Sequence, residues 1–272
     1  MAPIPFAQID AFASKAFEGN QACVMPLDAF LPDETLQQIA AENNVAETAF
    51  IVPLGDGAWE LRWFTPAVEV PLCGHATLAT GHYLYTIGGY EGGQIRFQTR
   101  KSGDLFVSRM GDGRLEMDFP AQPVADTQVD AEISAALGKS PIRSFEGPCY
   151  VAVYETAADI RALSPDLERL KTLGSKDANW GLGNIGCLAL DGEGVDVTSR
   201  FFAPGSGIPE DPATGSWHCM VAPLVERLTG KTEARCFQAY PGRGAYIETQ
   251  LVGDRVKLRG QSVTVIEGQF HL

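Results

Sequence analysis

The chain has 272 residues, 45% of them hydrophobic and 20% charged, the balance of a folded globular protein and not of a disordered one. That length exceeds one ordinary core and calls for two domains of roughly 100 to 150 residues each. A formal net charge of −13 excludes non-specific binding to nucleic acid or to anionic membrane surfaces.

No run approaches the ~18 apolar residues that span a bilayer. The opening "MAPIPFAQIDAF" has no basic start before an apolar run, so a cytoplasmic protein without a membrane partner is expected. The first helix falls in "LPDETLQQIAAENN": Pro32, Asp33 and Glu34 mark its start, and Leu36, Ile39 and Ala40 give it one apolar face, so it should lie on the surface. Residues 76–87, "ATLATGHYLYTI", are apolar nearly all round, which predicts a helix buried on most sides. "GDLFVSRM" and "RLEMDF" alternate as strands, and a domain boundary falls near 120–128, in "FPAQPVADTQ". "GSWHCMVAPLVERLTG" (215–230) is a second buried helix, stopped by Gly230 and kinked or short of a hydrogen bond at Pro223. "AYIETQLV" and "SVTVIEG" read as further strands.

The chain is written twice. "RWFTPAVEVPLCG" (62–74) lies over "RFFAPGSGIPEDP" (200–212) at an offset of 138, matching Arg62 to Arg200, Phe64 to Phe202, Pro66 to Pro204 and Pro71 to Pro209. Gly55-Asp56-Gly57 meets Gly192-Glu193-Gly194, "LPDETLQQIA" meets "SPDLERLKTL", and "RFQ" at 96–98 meets "CFQ" at 236–238. Ordered anchors of this kind indicate a tandem duplication. The expected fold is α+β: two pseudo-symmetric domains, 1–124 and 125–272, each a curled, largely antiparallel sheet around a central buried helix. The last residues of the chain are allowed to cross back to the first domain.

Each copy places its motif, "CGHAT" or "DPATGS", immediately before a buried helix. Unpaired N–H groups at a helix start bind a carboxylate or phosphate without a basic side chain, so an acidic chain can hold an anion, expected in an interdomain cleft. Six cysteines with no CxxC pair and four histidines without ligand spacing predict reduced thiols and no metal.

"DAFASKAFEGNQACVM", "NNVAETAFI", "WFTPAVEVPLCGHATLAT" and "RFFAPGSGIPEDPATGSWHCMVAPLVERL" resemble the PhzF-like (phenazine biosynthesis-like) isomerases, from about residue 8 to residue 268. That resemblance implies the fold of diaminopimelate epimerase, with an active site between two domains, and a homodimer. It also implies a proton shift without a cofactor on a small, anionic, carboxylate-bearing metabolite. Glu47, in the "ETAF" motif, matches the general acid and base; His75, Asp211 and Ser216 match groups that orient substrate and assist proton movement.

The residues themselves support these roles unevenly. A lone glutamate at the edge of an apolar strand is more often solvated or ion-paired than catalytic. Glu47, however, has Asn184 as its counterpart at offset 137, which cannot titrate, and an acid in one copy only suggests specialisation. Enclosure by "VAETAFIV" desolvates the carboxyl, a condition that favours acid–base work near neutral pH. His75 suits core packing as well as function, and Asp211 suits an N-terminal cap as well as a substrate contact. Asn20, Cys73, Gly74, Ala76, Thr214 and Gly215 are expected to line the substrate site, while His82 and His218 are expected to pack.

In two-thiol racemases related to this fold, one cysteine of each half flanks the substrate. Cys73 matches the first, and a thiol at a helix start can be acidified; the offset of 138 puts Asp211 opposite it, so the second thiol is missing. A racemase using Cys73 and an acidic partner, and a non-catalytic metabolite-binding protein on the same scaffold, are the alternatives to the isomerase.

Overall fold

A helix that is apolar nearly all round needs cover on every side, and in the computed structural model, which describes residues 3–175, 180–190 and 194–272, curled sheets supply it. The matched positions Gly192 and Glu193 lie outside those residues. The chain divides into two units, Met1–Asp118 with Arg259–Leu272, and Phe119–Leu258.

In the first unit, the surface helix α1 spans Asp33–Asn43 and the buried helix α2 spans Gly74–Thr86. Helix α1 buries Leu36, Ile39 and Ala40 and ends at Asn44, whose φ of 47° is the left-handed stop that asparagine tolerates. The buried face meets Ile4, Met25, Phe50 and Phe64. Strand Ile4–Ala11 pairs antiparallel with both Ser262–Phe270 and Asn20–Pro26. Asn20–Pro26 is parallel to Glu47–Gly55, which is antiparallel to Ala58–Phe64. Ala58–Phe64 runs parallel to Gln94–Gln98, and the meander ends through Asp104–Arg109 into Leu115–Pro120. Both parallel steps need a crossover; α1 fills the first and α2 the second. Helix α2 packs against Asn20–Pro26, Glu47–Gly55, Asp104–Arg109 and Ser262–Phe270, strands from nearly the whole width of this sheet, so the sheet curls around it.

The second unit repeats the ladder. Arg143–Glu146 is antiparallel to Tyr150–Tyr154, which is parallel to Ile185–Ala189. Ile185–Ala189 is antiparallel to Val197–Phe202, and Val197–Phe202 is parallel to Glu233–Gln238. Glu233–Gln238 is antiparallel to Ala245–Val252. This order of antiparallel and parallel steps matches that of the first unit strand for strand, and the fold is α+β with one topology written twice. The helices here are α3 (Ala131–Leu137), α4 (Ala157–Ala162), α5 (Leu167–Leu170) and α6 (Gly215–Thr229). Helix α6 is the central one, burying Trp217, Met220, Val221 and Leu224 against Phe145, Val151, Leu188 and Phe201.

Helix α6 runs through Pro223 and stops at Gly230, φ 77°. Proline leaves the carbonyl four residues back without its helical donor. That carbonyl belongs to Cys219, and the Gln122 N–H donates to it at 2.9 Å, so the cost at Pro223 is offset by a neighbouring segment.

His82 and His218 pack, as expected. His82 Nε2 lies 3.1 Å from Thr264 Oγ1, and the His218 Nδ1–H donates to the Thr214 carbonyl at 2.8 Å. Burial pushes His218 down to about 4. The folded protein thus keeps this ring neutral while the unfolded chain takes up a proton near pH 6.5, so stability is full above pH 6.5 and falls as the pH drops toward 4. The loss is on the order of 3 kcal/mol. Denaturant titrations of wild type and His218→Gln across that range should converge as the pH falls, and parallel curves would refute the assignment.

Candidate active site

The strand Glu47–Gly55 opens on Glu47, and after two further strands α2 opens with Cys73 as N-cap and His75 in its first turn. The first unit brings four of the sequence candidates together. Glu47 Oε2 lies 2.9 Å from His75 Nε2. His75 Nδ1 lies 3.2 Å from Asn20 Nδ2 and 3.5 Å from Cys73 Sγ. His75 is buried, and Glu47 keeps 16% of its side chain exposed. Glu47 Oε2 is itself buried, with no donor well aligned on it.

The electrostatics follow from this arrangement. Burial opposes charge on His75, but Cys73 and the Glu47 carboxylate outweigh it and hold the imidazole well above its ordinary range. Cys73 moves the other way from the acidified thiol that a helix start allows. Burial, reinforced by the negative charge of Glu47, pushes it up to about 11. The thiol is neutral near pH 7, so the carboxylate is the charge that favours protonated His75.

Asn20, expected as a substrate contact, is 2% exposed and lies with its amide nitrogen 3.2 Å from His75 Nδ1. Ala76, also expected at the substrate, is fully buried. Gly74 occupies the first position of α2, where no side chain caps the helix and first-turn N–H groups lack helical partners.

The second unit assembles a different cluster. The Thr214 Oγ1–H donates to Asp211 Oδ2 at 2.6 Å. The Gln238 amide donates to the Asp211 carbonyl at 2.6 Å and accepts from the Thr214 N–H at 2.9 Å. The N-cap of α6 is Thr214, and Asp211 lies outside the cap; the capping role open to Asp211 from sequence is corrected accordingly. Gly215 and Ser216 form the uncapped first turn. Gln238 was not singled out from sequence, although "RFQ" over "CFQ" pairs it with Gln98; Gln98 is exposed, whereas Gln238 is buried and spans the Asp211–Thr214 turn.

The ladders also correct the repeat alignment. Phe64 faces Glu69 and Phe202 faces Glu210, so the acids are equivalent at an offset of 141. "EVPLCGH" therefore lies over "EDPATGS": Pro71 matches Pro212, Cys73 matches Thr214, His75 matches Ser216, and Asp211 stands where Val70 is. The N-caps Cys73 and Thr214 confirm the register, as do Thr77 and His218, which donate to those residues' carbonyls at 2.6 and 2.8 Å. Asp211 is thus not opposite Cys73, and the residue that is, Thr214, still supplies no second thiol. Thr48 faces Phe64 and Ile185 faces Phe202, so Asn184 does take the place of Glu47. Its amide donates to the Trp180 carbonyl at 2.7 Å and accepts from Ser206 at 2.8 Å, a structural use.

Glu47, Cys73 and His75 are the described residues that offer three ligand atoms within 4.8 Å of one another. The donor types suit a soft divalent ion, but Glu47 Oε2 and His75 Nε2 stand at hydrogen-bond distance, 2.9 Å. Tetrahedral bonds of about 2.1 Å would separate two ligand atoms by about 3.4 Å, so the pair as placed fits a shared proton better than a metal.

Comparison with known proteins places these motifs in context. The family model described as phenazine biosynthesis-like protein matches residues 9–268. A Pseudomonas aeruginosa protein named an uncharacterized isomerase is 40% identical over 270 residues, 99% of each chain. A crystal structure of a phenazine biosynthesis protein of the PhzF family from Enterococcus faecalis superposes with a TM-score of 0.93 at 32% identity, covering 99% of this chain and 100% of that one. A predicted epimerase from Pseudomonas aeruginosa, 22% identical with a TM-score of 0.72 over 98% and 99% of the two chains, shares the fold. No helix among the described residues is long and apolar enough to cross a membrane.

Proposed function

This chain belongs to the phenazine biosynthesis-like protein family, and we propose that it is an isomerase that moves a proton between two positions of a small carboxylate-bearing metabolite, with Glu47 as the general acid and base. The observation that carries the reading is the buried Glu47 Oε2, 2.9 Å from His75 Nε2, on a side chain that keeps 16% of its surface exposed.

The chemistry balances without a cofactor. Glu47 takes a proton from a substrate C–H bond, whose electrons pass into the conjugated system of the substrate as an enolate-like anion. The same carboxyl, after exchanging with solvent through its exposed edge, returns a proton at a second carbon, restoring the net formula. His75 Nε2, 2.9 Å from Glu47 Oε2, supports the carboxyl that exchanges the proton. Uncapped N–H groups at the start of α2 complement a substrate anion.

A panel of unsaturated and β,γ-substituted carboxylates incubated in deuterium oxide and read by mass spectrometry tests this reading. Product from wild type should carry solvent deuterium and product formation should vanish in Glu47→Gln, whereas unchanged uptake in the variant would remove Glu47 from the chemistry.

The racemase alternative needs Cys73 as a thiolate. A thiol at about 11 has on the order of 10⁻⁴ of its population ionised at pH 7. Cys73→Ala should therefore retain turnover within about threefold of wild type, since only packing is altered; a loss of 10²-fold or more would restore the cysteine to the mechanism.

A further inference from the structure

We propose that Asn20 is a positioning residue that decides which ring nitrogen of His75 carries the proton in the neutral imidazole. Its catalytic consequence rests on the isomerase reading, but the assignment itself rests on geometry alone.

Asn20 is delivered by a turn that admits little variation. Gly19 has φ +62°, and a Cβ there would lie 2.0 Å from the Ala11 carbonyl oxygen, so only glycine closes the loop. Asn20 follows as the first residue of its strand, paired opposite Ala11, with its side chain buried. Its Nδ2 stands 3.2 Å from His75 Nδ1. An amide nitrogen only donates, so Nδ1 must offer its lone pair, and the single proton of the neutral ring then sits on Nε2. That nitrogen is the one 2.9 Å from Glu47 Oε2. Asn20 thus puts the one proton of the neutral ring on the nitrogen nearest the general base, acting from the far side of the ring. The titratable groups that face the ring are Glu47, at the start of its strand, and Cys73, at the start of α2. Cys73 Sγ also approaches Nδ1, at 3.5 Å, but a neutral thiol is a weak partner and leaves the choice of tautomer to the amide.

The test is nitrogen-15 NMR of the intact protein across pH, with the four histidines resolved by comparison with His75→Gln. Above the midpoint at which the ring loses its second proton, wild type should show a pyridine-type Nδ1 and a pyrrole-type Nε2. In Asn20→Asp, which keeps the size of the side chain, the carboxylate accepts from Nδ1–H. Both nitrogens should then stay pyrrole-type to a midpoint about 1–3 pH units higher. In Asn20→Leu the two tautomers should mix. A pyrrole-type Nδ1 in neutral wild type overturns the proposal, as do identical spectra and midpoints in wild type and Asn20→Asp, which would leave Asn20 a purely structural residue. None of these readings needs turnover, so they stand or fall separately from the deuterium exchange of Glu47→Gln.

Discussion

Glu47→Gln should lower turnover by about 10²–10⁴-fold, the range that a positioned acid–base group supplies, while the protein stays folded. Glutamine preserves the length of the side chain and an oxygen that can face His75 Nε2, so the packing around a residue that is only 16% exposed survives. What it removes is the capacity to take up and release a proton. Glu47→Asp separates position from chemistry, because it keeps the carboxylate but withdraws it by one C–C bond, about 1.5 Å, and a misplacement of that order can cost about 10²-fold. Activity of the aspartate variant should therefore lie between wild type and glutamine. Because Glu47 and His75 share one buried contact, their effects should not add: Glu47→Gln combined with His75→Gln should be little slower than Glu47→Gln alone. Measured kcat values that multiply would show that the two act independently.

The duplication, the two buried helices and the surface helix were legible because each leaves a local mark: ordered repeat anchors, unbroken apolarity and a Pro-Asp-Glu start. Glu47 stood out because Asn184 occupies the matching position, and the ladders keep that match. Equivalence near the second motif was not legible. The connection from Phe64 to Glu69 is three residues shorter than that from Phe202 to Glu210, and proline is frequent enough in both to align falsely at the shorter offset. Side-chain partnerships were hidden for a different reason. That Asn20 meets His75, or that Gln238 joins Asp211 to Thr214, depends on segments brought together from 24 to 55 residues apart, and no local pattern encodes which amide turns inward. The thiol of Cys73 illustrates the same limit: its place at a helix start suggests an acidic group, and its burial beside a carboxylate makes it the opposite.

Arg200→Met should destabilise the protein by about 3–5 kcal/mol, the cost of leaving a buried charge without its partner. Arg200 donates from Nε and Nη2 to the two oxygens of Glu210, each at 2.7 Å, and from Nη1 to the Leu163 carbonyl at 2.6 Å. Its guanidinium also lies over the Phe202 ring, 4.8 Å from the centroid. With Arg200 gone, Glu210 remains at 10% exposure without the guanidinium that balances its carboxylate. The first unit holds the same fork between Arg62 and Glu69, at 2.8 and 2.9 Å, and Arg62 adds Asp33 at 2.8 Å. Its acids, however, are 28% and 73% exposed, so water takes over when the arginine is removed. Arg62→Met should consequently cost less than Arg200→Met, although the two forks look alike in sequence and in geometry. The double variant Arg200→Met with Glu210→Leu discriminates between lost attraction and stranded charge: removing both charges should recover most of the stability. Each fork ties the strand that carries its arginine to the short strand leading into a buried helix, Glu69–Val70 before α2 and Glu210–Asp211 before α6. Denaturant midpoints for the three variants decide the matter. If the double variant is as unstable as Arg200→Met alone, the fork stabilises the fold through its bonds, and not by neutralising Glu210.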